Sequence, residues 1–209
     1  MGNPSHETRG RPKDAAKREA IMEAAKVMFM ERGFSGTSMD GLARAAAVSK
    51  ATLYSHFADK DALYRAIIES KVIDYQLADF TDRLSGDVER DLQLIANDMQ
   101  NLIFDDEAVR MLRMVIAEAQ HQSPIVALFE ESGPKRVFTR IADYFAALKA
   151  QGTTGLGCPE REAELFTGLV MGHRRVIQIL MGVEKAPTAA SRKQKARDAV
   201  TAFLKLKRD

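Results

Sequence analysis

The sequence predicts an all-α protein, on three observations. Apolar residues recur at the three- and four-residue spacing of one helix face along most of the 209 residues. The alternation of apolar and polar residues that marks a half-buried strand is absent from the sequence. Candidate capping residues and glycines fall at the ends of the periodic segments, where helices begin and end.

The first predicted helix begins near Lys13 and stops at Gly33. Its apolar face is formed by Ile21, Ala24, Ala25, Met28 and Phe29. Gly33 stands where a helix commonly ends in a left-handed residue, a conformation that glycine adopts without strain. Phe34 is then expected to pack back on Phe29.

Two short helices follow. The first begins at Thr37 or Ser38, either of which can cap backbone N–H groups, and spans about 38–46. Ser49 is the expected N-cap of the second, which spans about 50–57.

The rest of the chain is also predicted to be helical. A fourth helix is capped by Asp59 and continues toward Tyr75. Further helices are predicted at about 88–104, 107–121, 124–150, 160–183 and 189–207. A break is expected at Gly133-Pro134, because proline has no backbone N–H to continue a helix.

The two short helices have the proportions of a helix-turn-helix. Leu53 and Phe57 are four residues apart on the second one, so they share a face and are expected to point into the core. The other face is formed by Lys50, Ala51, Thr52, Tyr54 and His56. One cation, two small groups, a phenol and an imidazole suit contacts to base edges in the DNA major groove.

Two runs in this region carry a resemblance to a known family. They are Gly33-Phe34-Ser35-Gly36-Thr37-Ser38-Met39-Asp40-Gly41-Leu42-Ala43 and Ala46-Ala47-Val48-Ser49-Lys50-Ala51-Thr52-Leu53-Tyr54-Ser55-His56-Phe57-Ala58-Asp59-Lys60-Asp61-Ala62-Leu63. Together they closely resemble the DNA-binding domain of the TetR family of transcriptional regulators. The resemblance covers about residues 13–68. It departs at Ala47, where the family often has a turn glycine, and at Gly41, where it often has an acid.

The resemblance implies a set of DNA contacts. Lys50, Ala51 and Thr52 are expected to face base edges. Phosphate contacts are expected from Thr37, Ser38, Ser49, Tyr54, His56 and Lys60. Hydroxyls and N–H groups at helix N-termini also suit an anion on physical grounds. The alternative is that the hydroxyls only cap helices and that Tyr54 and His56 only pack on the surface.

A basic segment precedes the first helix. Its run Arg9-Gly10-Arg11-Pro12-Lys13 resembles the Gly-Arg-Pro core of an AT-hook, whose arginines enter a narrow minor groove. We therefore expect Arg9, Arg11 and Lys13 to contact DNA, although a solvated tail would have the same charge. The predicted domains are a flexible arm at 1–12, a helix-turn-helix domain at 13–60 and a helical ligand-binding and dimerisation domain at 61–209.

A homodimer is expected, because a single helix-turn-helix reads only a few base pairs and such proteins usually bind two half-sites. Apolar stripes run along 160–183 and 189–207. The residues expected at the interface are Leu165, Leu169, Gly172, Val176, Ile179, Val200 and Phe203. The resemblance implies the same, a four-helix bundle from the last two helices of each protomer. The alternative places these stripes inside one large domain.

The resemblance further implies that the middle helices enclose a ligand pocket. The candidate lining residues are Met99, Met111, Met114, Phe138, Phe145, Met171 and His173. Methionine adapts to irregular cavities, which favours the four methionines, but ordinary core packing is the alternative for each residue.

These features predict a sequence-specific DNA-binding regulator. By resemblance it is a ligand-responsive repressor that binds a palindromic double-stranded DNA operator as a dimer and is released by a small-molecule inducer. The alternative is a helical small-molecule-binding or scaffold protein without sequence-specific DNA binding.

Other classes are not favoured. No nucleophile–base pair, metal-ligand set or cofactor loop is recognisable in the sequence, so neither an enzyme nor a metal or cofactor is expected. Cys158 is the only cysteine and cannot form an internal disulfide. No apolar run reaches the roughly 18 residues of a membrane span, so no membrane association and a cytoplasmic location are predicted.

Overall fold

The computed structural model describes residues 11–121, 123–153 and 155–207, without the side chains of 11–13. Within these ranges the chain forms α-helices, one 3₁₀ helix at Thr81–Arg83 and no strand. The α-helices are α1 (Arg11–Arg32), α2 (Met39–Ala45), α3 (Lys50–His56), α4 (Lys60–Asp74), α5 (Val88–Ile103), α6 (Asp106–Ala119), α7 (Ile125–Ser132), α8 (Pro134–Ala150), α9 (Pro159–Met171), α10 (His173–Leu180) and α11 (Ala189–Lys205). The all-α prediction is confirmed.

The described chain divides into two compact units, with the boundary between Ile67 and Ile68. Their boundary falls within α4, whereas the sequence pattern put the domain boundary after Lys60. Helix α1 begins at Arg11, two residues before the predicted start at Lys13. Pro12 is compatible with this start, because the first turn of a helix has no intrahelical use for its N–H.

The N-terminal unit is built around an aromatic cluster. The ring centroids of Phe29, Phe34 and Tyr64 lie 5.4 to 5.7 Å apart, and all three side chains are buried. The expected contact between Phe29 and Phe34 is therefore present. Gly33 has φ +71°, the left-handed conformation predicted for the end of α1. This turn brings the chain back from α1 to α2.

The core of the C-terminal unit lies among α5, α8, α9 and α11. Its centre is aromatic: the rings of Phe145, Phe166 and Phe203 have centroids 5.3 to 6.0 Å apart. Each ring is at most 1% exposed. Aromatic pairs at these separations stabilise a core beyond their buried area alone.

The single helix predicted over 160–183 is wrong, because the structure divides it into α9 and α10 at Gly172. Gly172 has φ +62° and ends α9. A side chain would be strained in this conformation, so glycine permits the break. The break predicted at Gly133-Pro134 is confirmed, with α7 ending at Ser132 and Pro134 opening α8.

No helix in the described part of the chain is both long enough and apolar enough to span a membrane.

Candidate nucleic-acid interface and ligand cavity

Serine side chains cap both helices of the helix-turn-helix. The Ser38 hydroxyl accepts a hydrogen bond from the Gly41 N–H at 3.2 Å. The Ser49 hydroxyl accepts one from the Thr52 N–H at 3.1 Å and lies 2.9 Å from the Thr52 hydroxyl. Both serines are exposed, so the N-terminal ends of the two helices, with their N–H groups that have no intrahelical partner, lie at the surface of the unit. Such N–H groups can receive a phosphate.

The turn between α2 and α3 contains a strained residue. Ala47 has φ +52°, one of two non-glycine residues with positive φ in the described chain. Its N–H donates to Arg44 O at 3.1 Å, and the Val48 N–H donates to Ala43 O at 3.0 Å. These bonds reverse the chain after α2 and set the direction of α3.

Helix α3 has two faces, as the sequence predicts. Leu53 is fully buried and Phe57, at its C-cap, is 4% exposed. On the opposite face Lys50, Ala51 and Tyr54 are exposed, and Thr52 is half-buried. The outward face is therefore polar at its start and ends in a phenol.

An ion pair joins this face to α2. The Lys50 Nζ lies 2.6 Å from Asp40 Oδ2, and both side chains are largely exposed. The sequence analysis missed the role of Asp40, since nothing in the sequence pairs two residues across a turn. Lys50 must exchange this carboxylate for a base or phosphate if it contacts DNA.

Thr37 does not belong with the surface hydroxyls. It is 3% exposed, and its hydroxyl shares its one proton between Gly33 O at 2.9 Å and Met28 O at 3.2 Å. Ser38, not Thr37, caps α2. A buried hydroxyl that bonds to the end of α1 argues against the expected phosphate contact of Thr37.

Lys60 is also engaged inside its own unit. Its Nζ donates to Phe34 O at 2.7 Å and Thr37 O at 2.9 Å, and lies 4.3 Å from the centroid of the Phe34 ring. The ammonium thereby holds the loop between α1 and α2. Lys60 thus has a structural role, and its phosphate contact stays a prediction.

His56 is turned toward α1. Its side chain is 8% exposed, and Nε2 lies 3.2 Å from Asp14 Oδ1. This position favours a contact with α1, and the phosphate contact of His56 stays a prediction. Arg9 lies outside the described residues, and Arg11 and Lys13 are described only as backbone within α1.

The C-terminal unit contains a cavity of about 720 Å³. Helices α4 to α10 all contribute to its wall. Four of the predicted ligand residues line it: Met99, Met111, Phe138 and Met171. Met114 and His173 are absent from this wall, and Phe145 belongs to the aromatic core. The cavity therefore gives no support to these three expectations, which stay predictions.

A cluster of charged residues lies behind one wall residue, Lys71. Its Nζ is 2.6 Å from Glu107 Oε2 and 3.2 Å from Asp105 Oδ1. The Tyr75 hydroxyl donates to the other oxygen of Asp105 at 2.8 Å, and the Ala108 N–H donates to Oδ1 at 2.9 Å. The cluster connects α4 to the start of α6.

This cluster shifts the ionisation of its members. Burial by itself would raise the pKa of Asp105, but the hydrogen bonds from Ala108, Tyr75 and Lys71 outweigh it and lower that pKa. Burial opposes the charge of Lys71 as well, yet its bonds to Glu107 and Asp105 raise its pKa. Both groups are held in their charged forms.

The predicted dimer residues separate into two groups. Val200 and Phe203 are 1% exposed in the core, and Ile179 is 4% exposed. Val176 and Ile179 line the cavity. Burial of Val200, Phe203 and Ile179 within one protomer argues against their expected place at the interface, whereas Val176 is half-buried and stays a prediction. Leu165, Leu169 and Gly172 keep some exposure: Leu165 is 36% exposed, and the other two are half-buried.

The fold is that of a helix-turn-helix protein with a second, all-helical unit. Residues 21–67 match the family described as "Bacterial regulatory proteins, tetR family". Residues 90–206, more than half of the chain, match the "AefR-like transcriptional repressor, C-terminal domain". The chain belongs to the TetR family.

Curated relatives are similar over part of their length. YdeS of Bacillus subtilis, an uncharacterized HTH-type transcriptional regulator, is 38% identical over 76 residues, which are 36% of this chain and 34% of that protein. The HTH-type transcriptional activator FasR of Mycolicibacterium smegmatis is 34% identical over 109 residues, 47% of this chain and 49% of that protein. The matched segments thus span about a third to a half of these relatives.

Solved structures match over nearly the whole chain. A TetR-family transcriptional regulator from Mesorhizobium loti has a TM-score of 0.75 at 27% identity, covering 96% of this chain and 98% of that one. The flavonoid-responsive regulator FrrA has a TM-score of 0.70 at 29% identity, covering 91% and 96%.

Proposed function

We propose that this chain is a transcriptional regulator that reads a DNA operator with the exposed face of α3. The observation that carries the proposal is the division of α3 into a buried face, Leu53 and Phe57, and an outward face that starts beside a capped helix N-terminus. Its membership of a family of regulatory proteins supports the same function. Members of that family are regulators rather than enzymes.

We assign the DNA contacts as follows. Lys50 donates to guanine, and the methyl groups of Ala51 and Thr52 meet thymine methyls in the major groove. Ser38, Ser49 and Tyr54 contact phosphates, with the N–H groups of the two first turns. Arg9, Arg11 and Lys13 reach the adjacent minor groove. The phosphate contacts depend on the DNA backbone, and the minor-groove contacts depend on groove shape. Both sets therefore contribute to affinity more than to the choice of sequence.

We also propose a homodimer on a palindromic operator. The exposed side of α9 favours it: Leu165 lies there, and Gly168 stands within the helix with open space where a Cβ would be. Glycine inside a helix costs about 1 kcal/mol relative to alanine, and nothing within the described protomer requires it at this position. Close approach of a second helix would explain it.

The cavity is proposed as the site of a small-molecule inducer. Ile68, Lys71 and Val72 line it and belong to α4, the helix that also carries Lys60. A ligand that favours one position of α4 would shift the population of DNA-binding dimers. The flavonoid-responsive relative supports a small-molecule response, and the repressor named in the C-terminal family supports repression. The proposed place of action is the cytoplasm, where the DNA is.

Binding-site selection from random duplexes tests the proposal. Full-length protein should enrich one sequence with two symmetric half-sites. Lys50→Ala should reduce affinity for that duplex by about 1–3 kcal/mol and relax the choice of base at one position. Lys185→Ala removes the same charge from an exposed position in the other unit, and should have little effect.

Failure of the selection would reject the proposed function. If the protein enriches no duplex over random competitor at moderate salt, the outward face of α3 does not read sequence. Equal losses from Lys50→Ala and Lys185→Ala would show that only overall charge matters.

A further inference from the structure

We propose that the cavity of the C-terminal unit takes an uncharged, predominantly apolar molecule of drug size and rejects anionic analogues of it. This inference rests on the proposed function, since it names the chemical class of the ligand. The cavity volume of about 720 Å³ lies within the roughly 300–1,000 Å³ that drug-sized ligands occupy.

The wall of the cavity is apolar on every helix that forms it. Its larger side chains include Met99, Met111, Leu112, Phe129 and Phe138. Burial of apolar ligand surface against such a wall is favourable by roughly 25 cal/mol per Å². Thioether side chains can rearrange around an irregular molecule, which suits a bulky ligand better than a rigidly matched one.

Only four side chains on the described wall are polar. They are Lys71, Glu130, Lys135 and Thr167. Two of them, Lys71 and Thr167, already have ion-pair or hydrogen-bond partners. Thr167 donates its hydroxyl proton to Ala163 O at 2.8 Å. Lys71 is bound by two carboxylates, so its cluster contains one ammonium and two carboxylates. An anionic ligand would therefore meet, at Lys71, an ammonium that already has two carboxylate partners.

The other two polar side chains offer no net charge. Glu130 and Lys135 are exposed and opposite in sign. Water solvates both, so neither provides a desolvated partner for a carboxylate or sulfonate. A charged group that enters an apolar cavity without a partner loses its hydration, which opposes binding far more than for a neutral group. The chemistry of the wall therefore favours an uncharged ligand.

Two fluorescent dyes with the same ring system provide the test. N-phenyl-1-naphthylamine is uncharged, and 8-anilino-1-naphthalenesulfonate differs from it by one sulfonate. In titrations of the full-length protein without DNA, the neutral dye should bind one per chain at micromolar concentration. The sulfonate should bind at least about tenfold more weakly, a difference of about 1.4 kcal/mol.

Two variants in one helix locate the binding. Leu112→Trp places a large side chain on the cavity wall and should weaken the neutral dye at least about tenfold. Ile116→Trp lies one turn further along α6, is 50% exposed and is not on the wall, so it should leave binding unchanged. Met171→Trp fills the cavity from α9 at a 40% exposed position, and provides a second variant if Leu112→Trp does not fold.

Three results would overturn the inference. They are equal or tighter binding of the sulfonate, no binding of either dye, and binding of the neutral dye that is unaffected by cavity-filling variants. The outcome is independent of the proposed function. Lys50→Ala should lose operator binding and leave the dye titration unchanged. If the dye binds but does not release DNA, induction by a ligand is contradicted, and the chemical class of the cavity's ligand is not.

Discussion

Ala47 adopts φ +52° in the turn that sets the direction of α3. An L-residue with a Cβ is destabilised by about 1 kcal/mol or more in this region, and glycine is not. Glycine also increases the freedom of the unfolded chain, which offsets part of the gain. We therefore expect Ala47→Gly to stabilise the N-terminal unit by roughly 0.5–1 kcal/mol.

Hydrogen exchange of the α2 and α3 amides measures this effect, because two units need not unfold together. Ala45→Gly is the matched control: Ala45 is exposed in the last turn of α2, with ordinary helical geometry, and its replacement should destabilise by roughly 0.5–1 kcal/mol. Equal loss of protection in both variants would show that the turn does not strain Ala47.

Asp40 restrains the cation that we assign to base recognition. The ion pair with Lys50 is exposed, so its loss should change the free energy of unfolding by less than about 1 kcal/mol. Asp40→Asn removes a negative charge from the proposed DNA surface and frees Lys50. We expect it to strengthen binding to random duplex several-fold at low salt, with the gain decreasing as salt screens it.

Titration of random duplex at two salt concentrations checks this expectation. Glu31→Gln makes the same charge change at an exposed position on α1 and should have a smaller effect. If the two variants behave alike, Asp40 acts only through the net charge of the protein, and its contact with Lys50 has no special role.

Several residue roles could not be predicted from the sequence. The helix periodicity correctly assigned Leu53 and Phe57 to the core and Lys50 to the outside. It could not show that the Lys60 ammonium bonds to the carbonyls of Phe34 and Thr37, because those partners are more than twenty residues away in the chain. A lysine near a helix N-terminus has the same local pattern whether it binds phosphate or a loop.

At the level of elements, the start of α6 depends on Asp105. This residue caps α6 and bonds to Lys71 of α4 and to Tyr75, which directly follows α4. Its folded-state pKa is lowered, so its ionised form stabilises the unit above the ordinary pKa near 4. That contribution is lost as the pH falls below about 4 and through the lowered pKa. The raised pKa of Lys71 gives the opposite pH dependence. Its contribution to stability is present at neutral pH and is lost only as the pH rises into strong base.

Asp105→Asn tests this link between α4 and α6. Asparagine can still cap the helix but carries no charge, so the variant should lose roughly 1–2 kcal/mol at pH 7. The difference from the natural protein should be smaller at pH 3 than at pH 7, because the unfolded state takes up the proton first as the pH falls. Thermal unfolding followed by helical circular dichroism gives both values. Asp106→Asn, an exposed neighbour in the first turn of α6, should have a small effect; a constant difference down to pH 3 would contradict the ionic role.

Element boundaries were predictable where a local signal marked them. Pro134 opened α8 as expected, because the missing N–H is a property of the residue itself. Gly172 was read as part of an apolar stripe, since a glycine inside a helical pattern does not reveal its φ. The break there turns Val176 and Ile179 toward the cavity rather than along α9.

On the scale of the whole molecule, helix periodicity predicted helices throughout and a resemblance predicted two units. It could not distinguish apolar faces buried within a protomer from faces left for a partner. Val200 and Phe203 have the same spacing as an interface stripe, yet they complete the core with Phe166. Burial inside one chain and burial between two chains select the same residue types, so only the packed structure separates them.

The remaining exposed side of α9 gives the last prediction. Gly168 has open space where a Cβ would lie. Leu165, three residues before Gly168 and four before Leu169, lies on the same side of the helix. Gly168→Arg is therefore compatible with a folded protomer but not with a second helix packed closely against it. Sedimentation equilibrium should change from twice the chain mass of 23.2 kDa to a single chain. Operator affinity should fall by about two orders of magnitude, because each half-site must then be bound without its linked neighbour.

Ala146→Arg introduces the same side chain at an exposed position of α8 and should leave both mass and affinity unchanged. A Gly168→Arg protein that remains a dimer would exclude this face of α9 as the interface.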